Sequence, residues 1–352
     1  MIGLKSHPGP AMALLSAALF GASTPLAKLL LGGGVDPWLL AGLLYLGSGL
    51  GLGLLYLARR AGPRSEAPLV LSDLPWLALV VLAGGVAGPL LLMIGLTTTP
   101  ASSAALLLNV EGLATMGIAW LAFRENVDRR LLIGAFAILA GAMILSWRGG
   151  PQGVGFGALA IVGACLAWGI DNNLTRKLSA SDPVQIAMIK GLAAGAVNLT
   201  LALARGAHLP DIAAIAGAGA VGFFGYGLSL VLFVLALRHL GSARTGAYFS
   251  SAPFIGALLA IILFGEPVTS QLLAAAALMA IGLYLHLAEQ HEHEHAHEPL
   301  AHSHAHVHDE HHQHTHGPDD SASEPHVHHH VHARLIHAHP HYPDLHHRHG
   351  HA

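Results

Sequence analysis

Ten mostly apolar stretches fill residues 10–288, each close to the ~20 residues that a helix needs to cross a hydrocarbon core. They run 10–31, 37–58, 74–96, 101–123, 130–147, 155–177, 184–204, 212–237, 243–264 and 271–288. Hydrophobic residues make up 53% of the chain and charged residues 11%, where a soluble domain carries roughly 25% charge. The 42 glycines point the same way, because Gly is commoner in membrane helices than in soluble ones. The fold expected is an all-α membrane bundle of ten transmembrane helices. The first stretch follows Lys5 as a signal peptide would, but it is long, contains Pro25 and Lys28, and leads at once into a second span. It is read as a retained helix.

Lys and Arg set the orientation. With the N-terminus inside, inner loops carry Lys5, Arg59, Arg60, Arg64, Arg124, Arg129, Arg130, Arg176, Lys177, Arg238 and Arg244, whereas outer loops carry only Lys28, Arg148 and Arg205. Ten spans return the C-terminus to the same side. A multi-pass protein of the cytoplasmic (inner) membrane with both termini cytoplasmic is expected, the lipid bilayer being its first partner.

Leu-Ala-Phe-Arg-Glu-Asn-Val at 121–127 returns as Ile-Leu-Phe-Gly-Glu-Pro-Val at 262–268, each time between two apolar stretches. The chain therefore divides into a first repeat over 1–148, a second over 149–288 and a tail over 289–352. Five spans per repeat is odd, so the halves are expected to lie upside down relative to each other. Such inverted repeats place a substrate site at their interface near the midplane. Phe20-Gly21 matches Trp168-Gly169 at the start of each half.

Ala-Ser-Ser-Ala-Ala-Leu-Leu-Leu at 101–108, running to Phe-x-Glu-x-Val and a Gly-rich helix, resembles the EamA-type branch of the drug/metabolite transporter superfamily. Ser-Ala-Arg-Thr-Gly-Ala at 242–247, Pro253 and Phe-Gly-Glu-Pro-Val-Thr repeat the pattern. The resemblance covers about residues 10–288. It implies a ten-helix secondary transporter with a central cavity for a small-molecule substrate. No nucleotide-binding signature is present, and neither enzymatic activity nor a nucleic-acid partner is expected. Glu125 and Glu266 are the marks of the family. They lie at membrane boundaries beside Asp128 and Thr269, residues able to cap the next helices, and are read, with Pro253, as structural.

Charge inside an apolar span is costly and marks a functional candidate. Glu111 is the sharpest case, near the middle of 101–123. Its second-repeat counterpart is Ala252, followed by Pro253, where this half has Asn109-Val110-Glu111-Gly112. Helical spacing sets Ser103, Leu107, Glu111 and Thr115 on one face. Burial disfavours the charged form of a carboxyl, so Glu111 is a candidate substrate ligand or proton carrier; a carboxyl bonded to a neighbouring helix is the plain alternative. Asp171, Asn172 and Asn173 form a second cluster with Lys190. Asp171 and Lys190 are about seven residues into their helices, roughly 10 Å deep, so they are expected to pair, either as a tie between helices or as part of a substrate site. Asn198, two turns beyond Lys190, extends the polar path. Ser23 matches Asp171 in the first half. Tyr226 and Tyr248 are weaker candidates. Cys165, the one cysteine, is read as a packing residue, and no disulfide or Cys-based zinc site is available.

The tail is another kind of polymer. Residues 1–288 hold 15 Lys and Arg against 10 Asp and Glu; residues 289–352 hold 2 against 10, with 24 of the 28 histidines. Histidine alternates in 291–297 and 302–308 and clusters at 328–330. Without an apolar period to build a core, the segment is expected to be disordered. His291, His293, His295, His297, His302, His304, His306, His308, His311, His312, His314, His316, His328, His329 and His330 are candidate metal ligands, since neutral imidazole suits Ni, Co, Zn and Cu. With so many groups titrating around pH 6.5, buffering or pH sensing is the bland alternative.

Three functions fit these features. The first is a secondary exporter of a small polar metabolite, amino-acid-like or anionic, proton-coupled through Glu111. The second is a divalent-metal efflux transporter whose tail collects the ion. The third is a membrane-anchored metal buffer, which leaves ten spans without a use. Lys190 repels a cation, which favours the first. A homodimer is a further partner to test.

Overall fold

The structure is a computed structural model. It describes residues 8–59, 69, 71–123, 129–147, 154–175, 178 and 181–287, apart from the side chains of 8, 59, 123, 237–239 and 241–244, and the backbone of four strands in the tail. Ten helical segments among these are long and apolar enough to cross a membrane, from Gly9–Gly32 to Ser270–Leu287.

The first half comprises α1 (Pro8–Gly32), α2 (Pro37–Arg59), α3 (Leu74–Val80), a π-helical segment π1 (Val81–Ala87), α4 (Gly88–Thr98), α5 (Ala101–Leu107), α6 (Val110–Phe123) and α7 (Arg129–Ser146). The second comprises α8 (Phe156–Thr175), α9 (Pro183–Ala204), α10 (Ile212–Val221), π2 (Gly222–Leu228), α11 (Ser229–Phe249), α12 (Ala252–Phe264) and α13 (Ser270–Leu287). Packing follows a two-fold exchange of the halves. Helix α8 lies on α4 and α6, and α1 lies on α11 and α12; α2 pairs with α9, and α7 with α13.

Small residues let these helices approach, as membrane packing requires when lipid is as apolar as leucine. At the α2–α9 crossing a Cβ on Gly191 would lie 2.7 Å from Gly49 N, so no larger residue fits. Leu54, Leu121, Phe136 and Ile262 stay exposed on the bundle, on surface that lipid covers without cost.

The span expected as one helix over 101–123 is broken. Helix α5 ends at Leu107, and Leu108 N, Asn109 N and Glu111 N bond to carbonyls three residues back. Asn109 is the cause: its Nδ2 donates to Leu106 O at 2.8 Å, so the side chain competes for the backbone. Ser250 and Ser251 do the same between α11 and α12, with Oγ atoms 2.6 Å from Ala247 O and Tyr248 O. Pro253, in the first turn of α12, suits a helix start. The single face drawn through Ser103, Leu107, Glu111 and Thr115 is therefore divided, and Glu111 lies in the first turn of α6.

Within the tail the described backbone forms four strands, β1 (His291–His297), β2 (Leu300–His306), β3 (His326–His332) and β4 (Leu335–His341). Strands β1 and β4 pair antiparallel, as do β2 and β3. A two-residue histidine alternation is a strand pattern, and the ladders follow it although the segment brings no apolar face for a core. His308, His311, His312, His314 and His316 lie outside the described residues.

Candidate functional site

The two π-helical segments mark the site. They begin 141 residues apart, at Val81 and Gly222, the same spacing as the Phe-x-Glu-x-Val marks. A π turn offsets the backbone ladder and often accompanies function. In π1, Gly84 O accepts from Tyr45 Oη at 2.7 Å and from Trp168 Nε1 at 2.9 Å, and Gly85 O accepts from Asn198 Nδ2 at 3.0 Å. Helices α2, α8 and α9 thus converge on two successive carbonyls.

Gly84 also makes room for Asp171, whose carboxylate occupies the space a side chain there would take. Asp171 forms an ion pair with Lys190, and its other oxygen accepts from Thr175 Oγ1 at 3.1 Å. The pair is largely sheltered, with side-chain exposures of 6% for Asp171 and 18% for Lys190. The second half repeats the packing with different chemistry: Gly225 in π2 faces Ser23, the counterpart of Asp171. Ser23 Oγ donates to Phe20 O of its own helix and also meets the Tyr226 hydroxyl.

At the next residue of α8, Asn172 Nδ2 donates to Glu111 Oε1 and to Thr115 Oγ1, both at 3.1 Å. Thr115 Oγ1 donates to Glu111 O at 3.0 Å, and Asn173 Nδ2 bonds Thr115 O at 3.0 Å and Gly169 O at 2.8 Å. Asn173 ties α8 to α6; Asn172, which is exposed, presents the Glu111 carboxylate. The positive end of α6 favours an anion at that position. Asp171 and Lys190 are both within electrostatic reach of Glu111. On the facing side, Tyr226 packs between Phe20 and Tyr45, with ring centroids 6.1 and 5.6 Å away.

The site thus joins three ionisable side chains, two amides, a threonine hydroxyl and an aromatic wall. Glu111, Thr115, Asp171, Asn172, Asn173 and Lys190 come together. Asn198 is fully buried against π1, its amide donating to the off-axis carbonyl of Gly85, the glycine that the Lys190 stem also borders. Asn109 is buried in the α5–α6 break against Met279. Tyr248 contributes its backbone carbonyl to the α11–α12 break. The sequence reading missed Tyr45, Trp168, Gly84 and Gly85; the only signal was a Gly pair at 84–85 within an otherwise apolar span. Among the described residues no three His, Cys, Asp or Glu side chains gather as a metal site.

Glu266, read from the sequence as structural, bonds across the repeats. Its Oε1 accepts from Ala101 N at 2.7 Å, and its Oε2 from Ser102 N at 3.0 Å and from Ser102 Oγ. Gly265, with φ +61°, takes the left-handed turn that ends α12 and precedes this contact. Thr269 Oγ1 caps α13 through Leu272 N at 3.1 Å. Glu125 and Asp128 lie outside the described residues.

The EamA-like transporter family matches this chain twice, over residues 7–147 and 155–288. The chain belongs to that family. The double match agrees with a duplicated five-span unit. An uncharacterized transporter of Methanothermobacter thermautotrophicus is 30% identical over 229 residues, which are 63% of this chain and 66% of that relative's length. A protein crystal structure at 20% identity has the same fold, with a TM-score of 0.59 over 80% of this chain and 97% of its own. Family and helices together make this an integral, multi-pass membrane protein.

Proposed function

We propose that this EamA-like protein is a secondary transporter that exports a small polar metabolite, amino-acid-like or anionic, in exchange for protons carried by Glu111. The observation that carries the reading is the position of that carboxylate: first turn of a half-helix, deep in a span, with Asn172 as its hydrogen-bond donor. Protonation removes its charge, and a change of charge in a low-dielectric site changes every electrostatic interaction there. Lys190 offers a substrate anion an ammonium, provided Asp171 releases it. Tyr45 and Tyr226 give an apolar part of the solute a wall.

The test is uptake into proteoliposomes of amino acids and organic anions beside Ni, Co and Zn, with and without a pH gradient. Gradient-stimulated movement of an organic solute supports the reading. Movement of the metals alone replaces it with metal efflux.

The tail is proposed to bind divalent metal and to regulate transport rather than to form its path. Its 24 histidines supply the ligands. Removing 289–352 is expected to leave solute movement intact and to abolish its response to added Ni or Zn. A truncated chain that moves nothing would put the tail in the path.

A further inference from the structure

Helix α5 is a short rod, about 10 Å long, with Glu111 just beyond its C-terminal end. At its N-terminal end the corner between α4 and α5 is held from both sides. Glu266 of the second repeat occupies the free N–H groups of Ala101 and Ser102. Lys28 of α1 donates to the last carbonyls of α4, at Leu96 O and at Thr97 O, the latter 3.5 Å away. An anion on a helix N-terminus and a cation on a helix C-terminus are each favourable. The two charges are within electrostatic reach of each other. Both contacts join elements that are distant in sequence, so both must break if α4 and α5 are to part from α1 and α12 at this end.

We infer that Glu266 and Lys28 are positioning residues that latch one face of the transporter shut, and that α5 links the latch to Glu111. The inference rests on the transport reading for its purpose, not for its geometry. The positive-inside count assigns this face to the outside, so the conformation described is closed outward. The latch explains why Phe-x-Glu-x-Val sits at the boundary of a span: its glutamate reaches the matching span of the other repeat.

The test needs neither substrate nor a gradient. Gly112→Cys places a thiol beside Glu111, where an added Cβ meets open space. A membrane-impermeant maleimide is applied from the outside and, separately, from the inside of oriented vesicles. In the parent, labelling is expected to be faster from inside. Glu266→Gln or Lys28→Met is expected to speed outside labelling at least tenfold. Glu266→Asp, which keeps the charge, is expected to stay near the parent. Elution of each variant as a single peak in size-exclusion chromatography is the folding control, because Cys165 Sγ bonds Leu107 O of α5 at 3.6 Å and is not independent of that helix. An outside rate unchanged in both variants overturns the latch, as does a rise accompanied by loss of that single peak. A shift of sidedness in a protein that moves no solute would sink the transport proposal alone.

Discussion

Glu111→Gln is expected to abolish uphill, pH-driven accumulation while substrate-for-substrate exchange continues. Glutamine keeps the acceptor that Asn172 addresses in α6 and keeps the side-chain volume, so the fold should survive. What it removes is the proton. A carrier whose proton site is always neutral can still exchange solute for solute, but it cannot couple net movement to a pH difference. Uptake by wild type and variant is compared with an imposed gradient and in counterflow. A gradient response equal to that of wild type would remove Glu111 as the carrier and leave it as a carboxyl tying α6 to α8.

Breaking the Asp171–Lys190 pair on one side alone is expected to be the most damaging single change to stability. Lys190→Met leaves Asp171 sheltered against Gly84 with no cation. Removing one member of a buried pair costs roughly 3–5 kcal/mol in soluble proteins. The drop should show as a lowered thermal midpoint in detergent. The double variant Asp171→Asn with Lys190→Met removes both charges and is expected to recover most of that stability. Transport then separates the two roles left open by the sequence. A pair that only ties helices gives back transport together with stability. A pair that holds the substrate gives a stable protein that does not transport, which is the result expected here.

The outline of the fold was legible because membrane spans announce themselves by length and composition, and because the two glutamate marks align the halves. Depth was legible too: Asp171 and Lys190, placed at equal distance from the short connection near 178–183, do pair. Irregular backbone was not legible. In π1 three helices deliver Tyr45, Trp168 and Asn198 to two glycine carbonyls, and no local pattern encodes a convergence of distant helices. The break at Asn109 could have been read from an amide in mid-span, since Asn competes for backbone donors and acceptors; it separates Ser103, in α5, from Glu111, in α6. Glu266 was placed correctly at a boundary, but its partners, Ala101 and Ser102, are more than 160 residues away and follow only from the inverted packing.

The most direct measurement is proton flux itself, followed by a pH-sensitive dye sealed inside proteoliposomes as solutes are added outside without any imposed gradient. The account predicts that one class of small polar organic solute changes the internal pH with wild-type protein, that Glu111→Gln abolishes that change, and that removal of 289–352 preserves it. Solute entry with no accompanying proton movement in wild type would contradict it.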